Sequence, residues 1–330
     1  MKACFRSVCV IALSLSIMAA ANGQTREEIE IVKPKAYSPL KASESAELKK
    51  TVDDAVKEVL PKFKDLGSDQ IAMTVFDMSD PANIRRADHR GEEQIYPASV
   101  VKMFYMVTLH QQLEDGKLKM TPELERGLRD MIVVSSNDAT QYIVDVLTQT
   151  ASGGELPDDE FSLWSHRRNR MNRYFASMGY TNINVNQKTY CEDAYGVEQQ
   201  FRNYRGNNRN MITTNAAARL IAEIATGKAV NPARSQIMMD LMKRDPYATG
   251  REANSQATEF VGKAFLNDKI EGAKLWSKAG WTSTTRHDAA YFELPDGRKL
   301  AIAIFTVRHS NDKELIPTLA SKVLEKLKGK

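Results

Sequence analysis

Leu48, Val52, Val56, Val59, Leu60 and Phe63 recur at helical spacing, which predicts an amphipathic helix near 43–65 that Gly67 ends. Ile71 to Met78 then reads as a strand and Asp80-Pro81 as a turn. The far end of the chain repeats the pattern in reverse. Leu275 to Lys278, His287 to Leu294 and Leu300 to Val307 read as strands, the last two joined by the hairpin turn Pro295-Asp296-Gly297-Arg298. Leu315, Leu319, Val323, Leu324 and Leu327 mark a closing helix near 313–328. Between these ends the pattern is helical. Asn215 opens an alanine-rich helix that Gly227 stops, Asn231-Pro232 opens the next, and 151–159 is a polar surface loop. Strands at both termini with helices between them predict an α/β (α+β) fold. Its antiparallel sheet is built from about 43–96 and 271–330 and flanked by helices, with an all-helical region over about 97–270.

Composition adds little to this picture except at the N-terminus. The chain has 330 residues, 42% hydrophobic and 27% charged, as in ordinary globular proteins. Lys2 and Arg6 precede the apolar run Val8 to Met18, and small residues follow through Gly23. That reads as a secretory signal over 1–23 with cleavage after Ala21 or Gly23, the alternative being a short uncleaved anchor. A polar leader over 24–42 and one domain over 43–330 complete the division. The expected location is periplasmic or secreted, with no stable membrane insertion once the signal is removed. The net charge is +4 with no clustered basic block, which argues against nucleic acid as a partner. Cys4 and Cys9 lie in the signal, so Cys191 is left alone without an intrachain disulfide and is expected to be buried. A monomer is expected.

Chemistry enters at Ser99-Val-Val-Lys102, where a hydroxyl and an amine stand one helical turn apart at the start of an apolar run, Val100 to Val107. A lysine in an apolar helix has its charged form disfavoured, so a neutral, base-competent amine can activate the serine without histidine. The same spacing at Ser38–Lys41 and Ser310–Lys313 lies in polar, turn-like sequence with no such helix behind it. Two further groups fit beside it. Ser135-Ser136-Asn137 is either a helix cap or a hydroxyl that relays a proton to the leaving group beside an amide that holds a substrate carbonyl. Lys278-Ala279-Gly280 is either an edge lysine beside a strand glycine or a substrate-binding strand. In the second reading Lys278 supplies positive charge and Gly280 lets substrate lie against the backbone. The Trp281 N–H then pairs with that of Ser99 as an oxyanion donor.

Ser-x-x-Lys, Ser-x-Asn and Lys-x-Gly in this order, on this framework, resemble the penicillin-recognising serine hydrolases, and specifically the class A β-lactamase family, over roughly 43–328. The resemblance implies a β-lactamase/transpeptidase-like fold, Ser99 as acylated nucleophile and Lys102 as its base or one member of a base network. It also implies Arg286 as a carboxylate ligand and a loop glutamate that drives water onto the acyl-enzyme. Glu192 is the first candidate for that glutamate and Glu198 the second, the bland alternative being a solvated loop residue. The chain departs from the family pattern at Ser136, where an aspartate is usual, and at Ala279, where a hydroxyl residue is usual. The missing hydroxyl removes a hydrogen bond to a substrate carboxylate worth about 1–3 kcal/mol. The stretch between Ser99 and Ser135 is also short for the family, which leaves a shallower, less carboxylate-demanding site.

The implied activity is hydrolysis of a β-lactam amide through acyl-Ser99. The alternatives are a D-alanyl-D-alanine peptidase, amidase or esterase of the same fold, or a β-lactam or peptidoglycan binder that does not turn over. The implied partner is a small-molecule β-lactam or a peptidoglycan-derived substrate. The histidines show no ligand spacing, and no zinc, phosphate-loop or dinucleotide signature is present, so no metal or organic cofactor is implied. His110, two turns beyond Lys102, is read as structural.

Overall fold

The structure, a computed structural model, describes residues 30–249 and 254–328. The signal-like segment 1–23 and the start of the polar leader lie outside the described residues.

The first strand, β1 (Ser43–Glu44), leads into helix α1 (Ala46–Val59), capped by Ser45, whose Oγ accepts the Leu48 N–H at 3.2 Å. Leu48, Val52, Val56 and Val59 face inward as their spacing predicts. Strands β2 (Ile71–Asp77) and β3 (Arg85–His89) follow. The middle carries α2 (Lys102–Glu114), α3 (Pro122–Ile132), α4 (Asn137–Thr148), α5 (Asp158–Arg168), α6 (Arg170–Ser177), α7 (Val197–Asn203), α8 (Thr214–Ala225) and α9 (Pro232–Met242). The chain returns through β4 (Lys243–Arg244), α10 (Val261–Asn267), β5 (Lys274–Trp281), β6 (Thr285–Glu293), β7 (Lys299–Val307) and α11 (Leu315–Lys326).

The sheet runs β1-β3-β2-β7-β6-β5-β4 and is antiparallel except where β1 lies parallel to β3. Three features differ from the sequence reading. Ser43 and Glu44, expected in the first helix, form strand β1, and the helix itself runs only from Ala46 to Val59. The middle region is not all helical, because Lys243 and Arg244 within it form the edge strand β4. The strand Arg85–His89 also joins, although only Ala87 in it is buried. A two-residue strand has no period, and a strand with one apolar residue has no alternation to read.

Alternation divides the core. Ile71, Met73 and Val75 of β2 pack in the cluster that contains α1, α10 and α11 residues. Ala72 and Phe76 pack with the helical region. Helix α2 is the centre of that second layer, buried from Lys102 to Leu113 with no polar face. The described part of the leader is tied down: Tyr37 donates to Glu223 Oε2 at 2.9 Å and the Leu40 N–H to Glu223 Oε1 at 3.0 Å. No helix among the described residues is long and apolar enough to cross a membrane.

One sheet edge positions the site. β4 pairs only with Leu275 and Trp276, so β5 from Ser277 to Trp281 keeps an edge that no strand among the described residues covers.

Candidate active site

Ser99 sits on the 3₁₀ turn Ala98–Val101 that runs directly into α2. Ala98 holds a positive φ of 47°, a conformation that costs a non-glycine residue about 1–2 kcal/mol and is over-determined here by its packed surroundings. Ser99 is half-buried, and its hydroxyl makes no hydrogen bond among the described residues. Lys102, the first residue of α2, is fully buried. Burial in this apolar layer pulls its ammonium down to about 7, so a neutral amine is available at neutral pH.

The Lys102 Nζ donates to Asn137 Oδ1 at 2.9 Å and to the Ser135 carbonyl at 2.6 Å, and lies 3.3 Å from Ser135 Oγ. The segment Ser135-Ser136-Asn137 divides between a helix cap and contacts to Lys102. Ser136 is the N-cap of α4, accepting the Ala139 N–H at 3.1 Å. Ser135 adopts a left-handed φ of 61°, and it and Asn137 turn toward Lys102.

Strand β5 closes the other side. Lys278 Nζ donates to Ser135 Oγ at 2.9 Å, so this hydroxyl stands between two lysines. Burial disfavours the Lys278 ammonium, and Lys102 and Arg244 push its pKa lower still. Gly280 is a steric necessity: a Cβ there would lie 2.6 Å from the Ser99 nitrogen and 2.9 Å from that of Val100. The Ala279 N–H points to the uncovered edge, where Gln256 accepts it, so strand periodicity turns the Trp281 N–H to the same edge. That edge runs beside the Ser99 N–H.

Four residues are placed differently from the sequence reading. Arg286 does not reach the site. It lies on the opposite sheet face, 1% exposed, stacked on Phe260 and bonded to the Glu259 carbonyl at 2.8 Å and Asn254 Oδ1 at 3.1 Å. Strand alternation sends its neighbour His287 to the site face instead, where Nε2 lies 2.9 Å from the Tyr96 carbonyl oxygen. Glu198 is buried in ion pairs with Arg168 at 2.7 Å and Lys188 at 3.1 Å, which leave its carboxylate no freedom to activate water. Glu192 is exposed and lines a neighbouring cleft with Tyr96, Gln187, Tyr190 and Arg209. Cys191, expected to be buried, is exposed, and its Sγ accepts from Asn137 Nδ2 at 3.7 Å. The thiol, not the next residue's carboxylate, stands beside the amide that holds Lys102.

Sequence reasoning missed Gln256, whose Oε1 accepts from Lys278 Nζ at 2.8 Å. A single glutamine in polar sequence carries no motif that points to it. His110 is buried with neither ring nitrogen hydrogen-bonded among the described residues, and burial lowers its pKa to about 4. Among the described residues no three His, Cys, Asp or Glu side chains gather as a metal cage.

The comparisons with known proteins bear on the family and the fold. A sequence model described as the β-lactamase enzyme family matches residues 51–327. Comparison with curated protein sequences finds no match. Among solved structures, a β-lactamase from Sphaerobacter thermophilus is similar at TM-score 0.59 and 16% identity, over 84% of this chain and 96% of that one. PBP-A is similar at 0.58 and 17%, over 88% and 100%. A representative of class A β-lactamase from Bacteroides cellulosilyticus is similar at 0.58 and 14%, over 86% and 99%. At these identities the structures speak for the fold, and the family match over most of the sequence decides the rest: the chain belongs to the β-lactamase enzyme family.

Proposed function

We propose that the protein is an exported serine hydrolase in which Ser99 takes the acyl group of a β-lactam amide and water then releases it. The observation that carries this reading is the Ser135 hydroxyl held between two buried lysines, one of which, Lys102, stands three residues after Ser99 where the 3₁₀ turn runs into α2. Neutral Lys102 accepts the Ser99 proton as Oγ attacks the lactam carbonyl carbon. The Ser99 and Trp281 N–H groups receive the developing oxyanion. As the C–N bond breaks, Ser135 passes a proton to the departing nitrogen and recovers one from the lysine pair. Asn137 positions a substrate carbonyl. Export rests on the charged-then-apolar pattern of 1–23.

One observation favours a second reading, in which the acyl-enzyme forms and persists. The loop presents Cys191 to Asn137, Glu198 is held by Arg168, and Glu192 faces the adjoining cleft. A thiol is a poor general base for water at the side of an ester. In that case the protein is a peptidase-like or sensing member of the family. A point mutant of PBP-A was solved as an acyl-enzyme complex with penicillin G, so this fold holds such an adduct in a relative.

Intact-protein mass spectrometry with penicillin, with free drug followed in parallel, tests both readings. Drug loss in large excess over protein supports hydrolysis, a lasting stoichiometric adduct supports the second reading, and neither adduct nor loss overturns both.

A further inference from the structure

Gln256 occupies the place at the edge of β5 where a substrate anion would meet Lys278. Its Oε1 accepts from Lys278 Nζ at 2.8 Å and from the Ala279 N–H at 3.1 Å, and its Nε2 donates to the Val133 carbonyl at 2.9 Å. The side chain is buried and spans from the uncovered strand edge to the segment that leads into Ser135. An amide oxygen accepting at once from the lysine and from the strand N–H does what the carbonyl of an added strand would do there.

Among the described residues, the other buried or half-buried cations near this edge are already committed. Lys102 donates to Ser135 and Asn137. Arg244 donates to the carbonyls of Ile132 at 3.0 Å and of Leu241 and Lys243 at 3.2 Å each. Arg286 is spent on Glu259 and Asn254 across the sheet. Ala279 brings no hydroxyl. A carboxylate arriving beside Lys278 therefore displaces Gln256 and leaves its buried amide unpaired, or stays without a charged partner; either is unfavourable. A neutral ester or amide carbonyl leaves Gln256 where it is.

We infer that Gln256 is a specificity-determining residue that fills the anion subsite beside Lys278, so that this site selects acyl donors that are uncharged at that position over those bearing a free carboxylate. The inference rests on the acyl-Ser99 reading above. It gives the substrate class as internal or esterified amides rather than chains ending in a free carboxylate next to the scissile bond. Burial and the two neighbouring cations, which disfavour the Lys278 ammonium, act in the same direction.

The test compares acylation rates, by mass spectrometry, of penicillin G and its methyl ester on the full-length mature protein. Wild type, Gln256→Ala and the near-isosteric Gln256→Glu are measured, with thermal melts to check the fold. The ester is expected to acylate wild type at least as fast as the acid. Gln256→Ala should shift the acid-to-ester ratio toward the acid by about tenfold or more, the worth of one hydrogen bond to a charged group, and Gln256→Glu should shift it the other way. The inference is overturned by an acid that outpaces the ester by more than about tenfold in wild type, or by a ratio that both variants leave unchanged. Lack of any adduct from either compound instead overturns the acyl-Ser99 reading, and this inference with it.

Discussion

Lys278 Nζ stands 2.9 Å from Ser135 Oγ, the same oxygen that lies 3.3 Å from Lys102 Nζ. A hydroxyl shared by two buried amines both gives and receives protons at little cost. Two ammonium ions this close repel, so one proton fewer than two is the favoured state. In the proposed mechanism the protonation of this trio sets the acylation rate.

The acylation rate should rise with pH through about 7 as Lys102 loses its proton. Lys102→Arg, which keeps a proton at all accessible pH, should lower acylation by about 10²–10⁴-fold. Stability carries the same signature. Lysine in the unfolded chain keeps its proton up to about 10.5, so between 7 and 10.5 the unfolded state binds the extra proton. Stability from this residue therefore increases with pH across that window, and urea melts at pH 7 and 9 should show wild type gaining relative to Lys102→Met. A flat pH–rate profile from 6 to 9 would remove Lys102 from the role of base.

Gly280→Ala places a methyl group against the backbone of Ser99 and Val100. It should destabilise the fold by about 1–3 kcal/mol and slow acylation more than it weakens binding, since it moves the nucleophile's own backbone. Melting curves and single-turnover kinetics separate the two effects.

Arg168 and Glu198 form a doubly hydrogen-bonded pair, 0% and 1% exposed, at 2.7 and 2.8 Å. Removing one partner strands the other, so Glu198→Ala should cost about 3–5 kcal/mol in urea melts. Burial works against the Glu198 carboxylate, but Arg168 and Lys188 more than offset it and hold its pKa below the ordinary value. Its contribution is thus present at neutral pH and lost as pH falls through that depressed value, which makes the anchoring of α7 acid-labile.

Cys191→Glu sets a carboxylate where the thiol now meets Asn137. Release of a penicilloyl group should accelerate by about 10²-fold or more, read as faster loss of the adduct mass. Glu192→Gln, which faces the neighbouring cleft, should leave that rate unchanged. The opposite pairing of results would return the water-activating role to Glu192.

What the sequence disclosed and what it withheld divide along physical lines. Helix α1 was readable because it buries one periodic face, and strands β2, β5, β6 and β7 because each is a short run buried on both sides of the sheet, whereas β1 and β4 are too short to have a period and β3 buries one residue. Ser99, Lys102, Ser135, Asn137, Lys278 and Gly280, each singled out by a short motif, are brought close together by the fold. Arg286 followed the alternation of β6 away from the site, a direction set by register that spacing in the chain does not reveal. The loop that carries Cys191 and Glu192 has no period, so which of its side chains meets Asn137 is decided by tertiary packing. Gln256 belongs to the same class: its role exists only because two distant segments meet across it.

The most direct test is peptide mapping of the purified protein after exposure to penicillin G, beside Ser99→Ala. Ser99 is half-buried and its hydroxyl forms no hydrogen bond among the described residues, so the substitution should change stability by less than about 0.5 kcal/mol. A drug-sized mass increase is expected on the Ser99 peptide of wild type and none in the variant. An adduct that persists in Ser99→Ala, or that maps to Cys191, would contradict it.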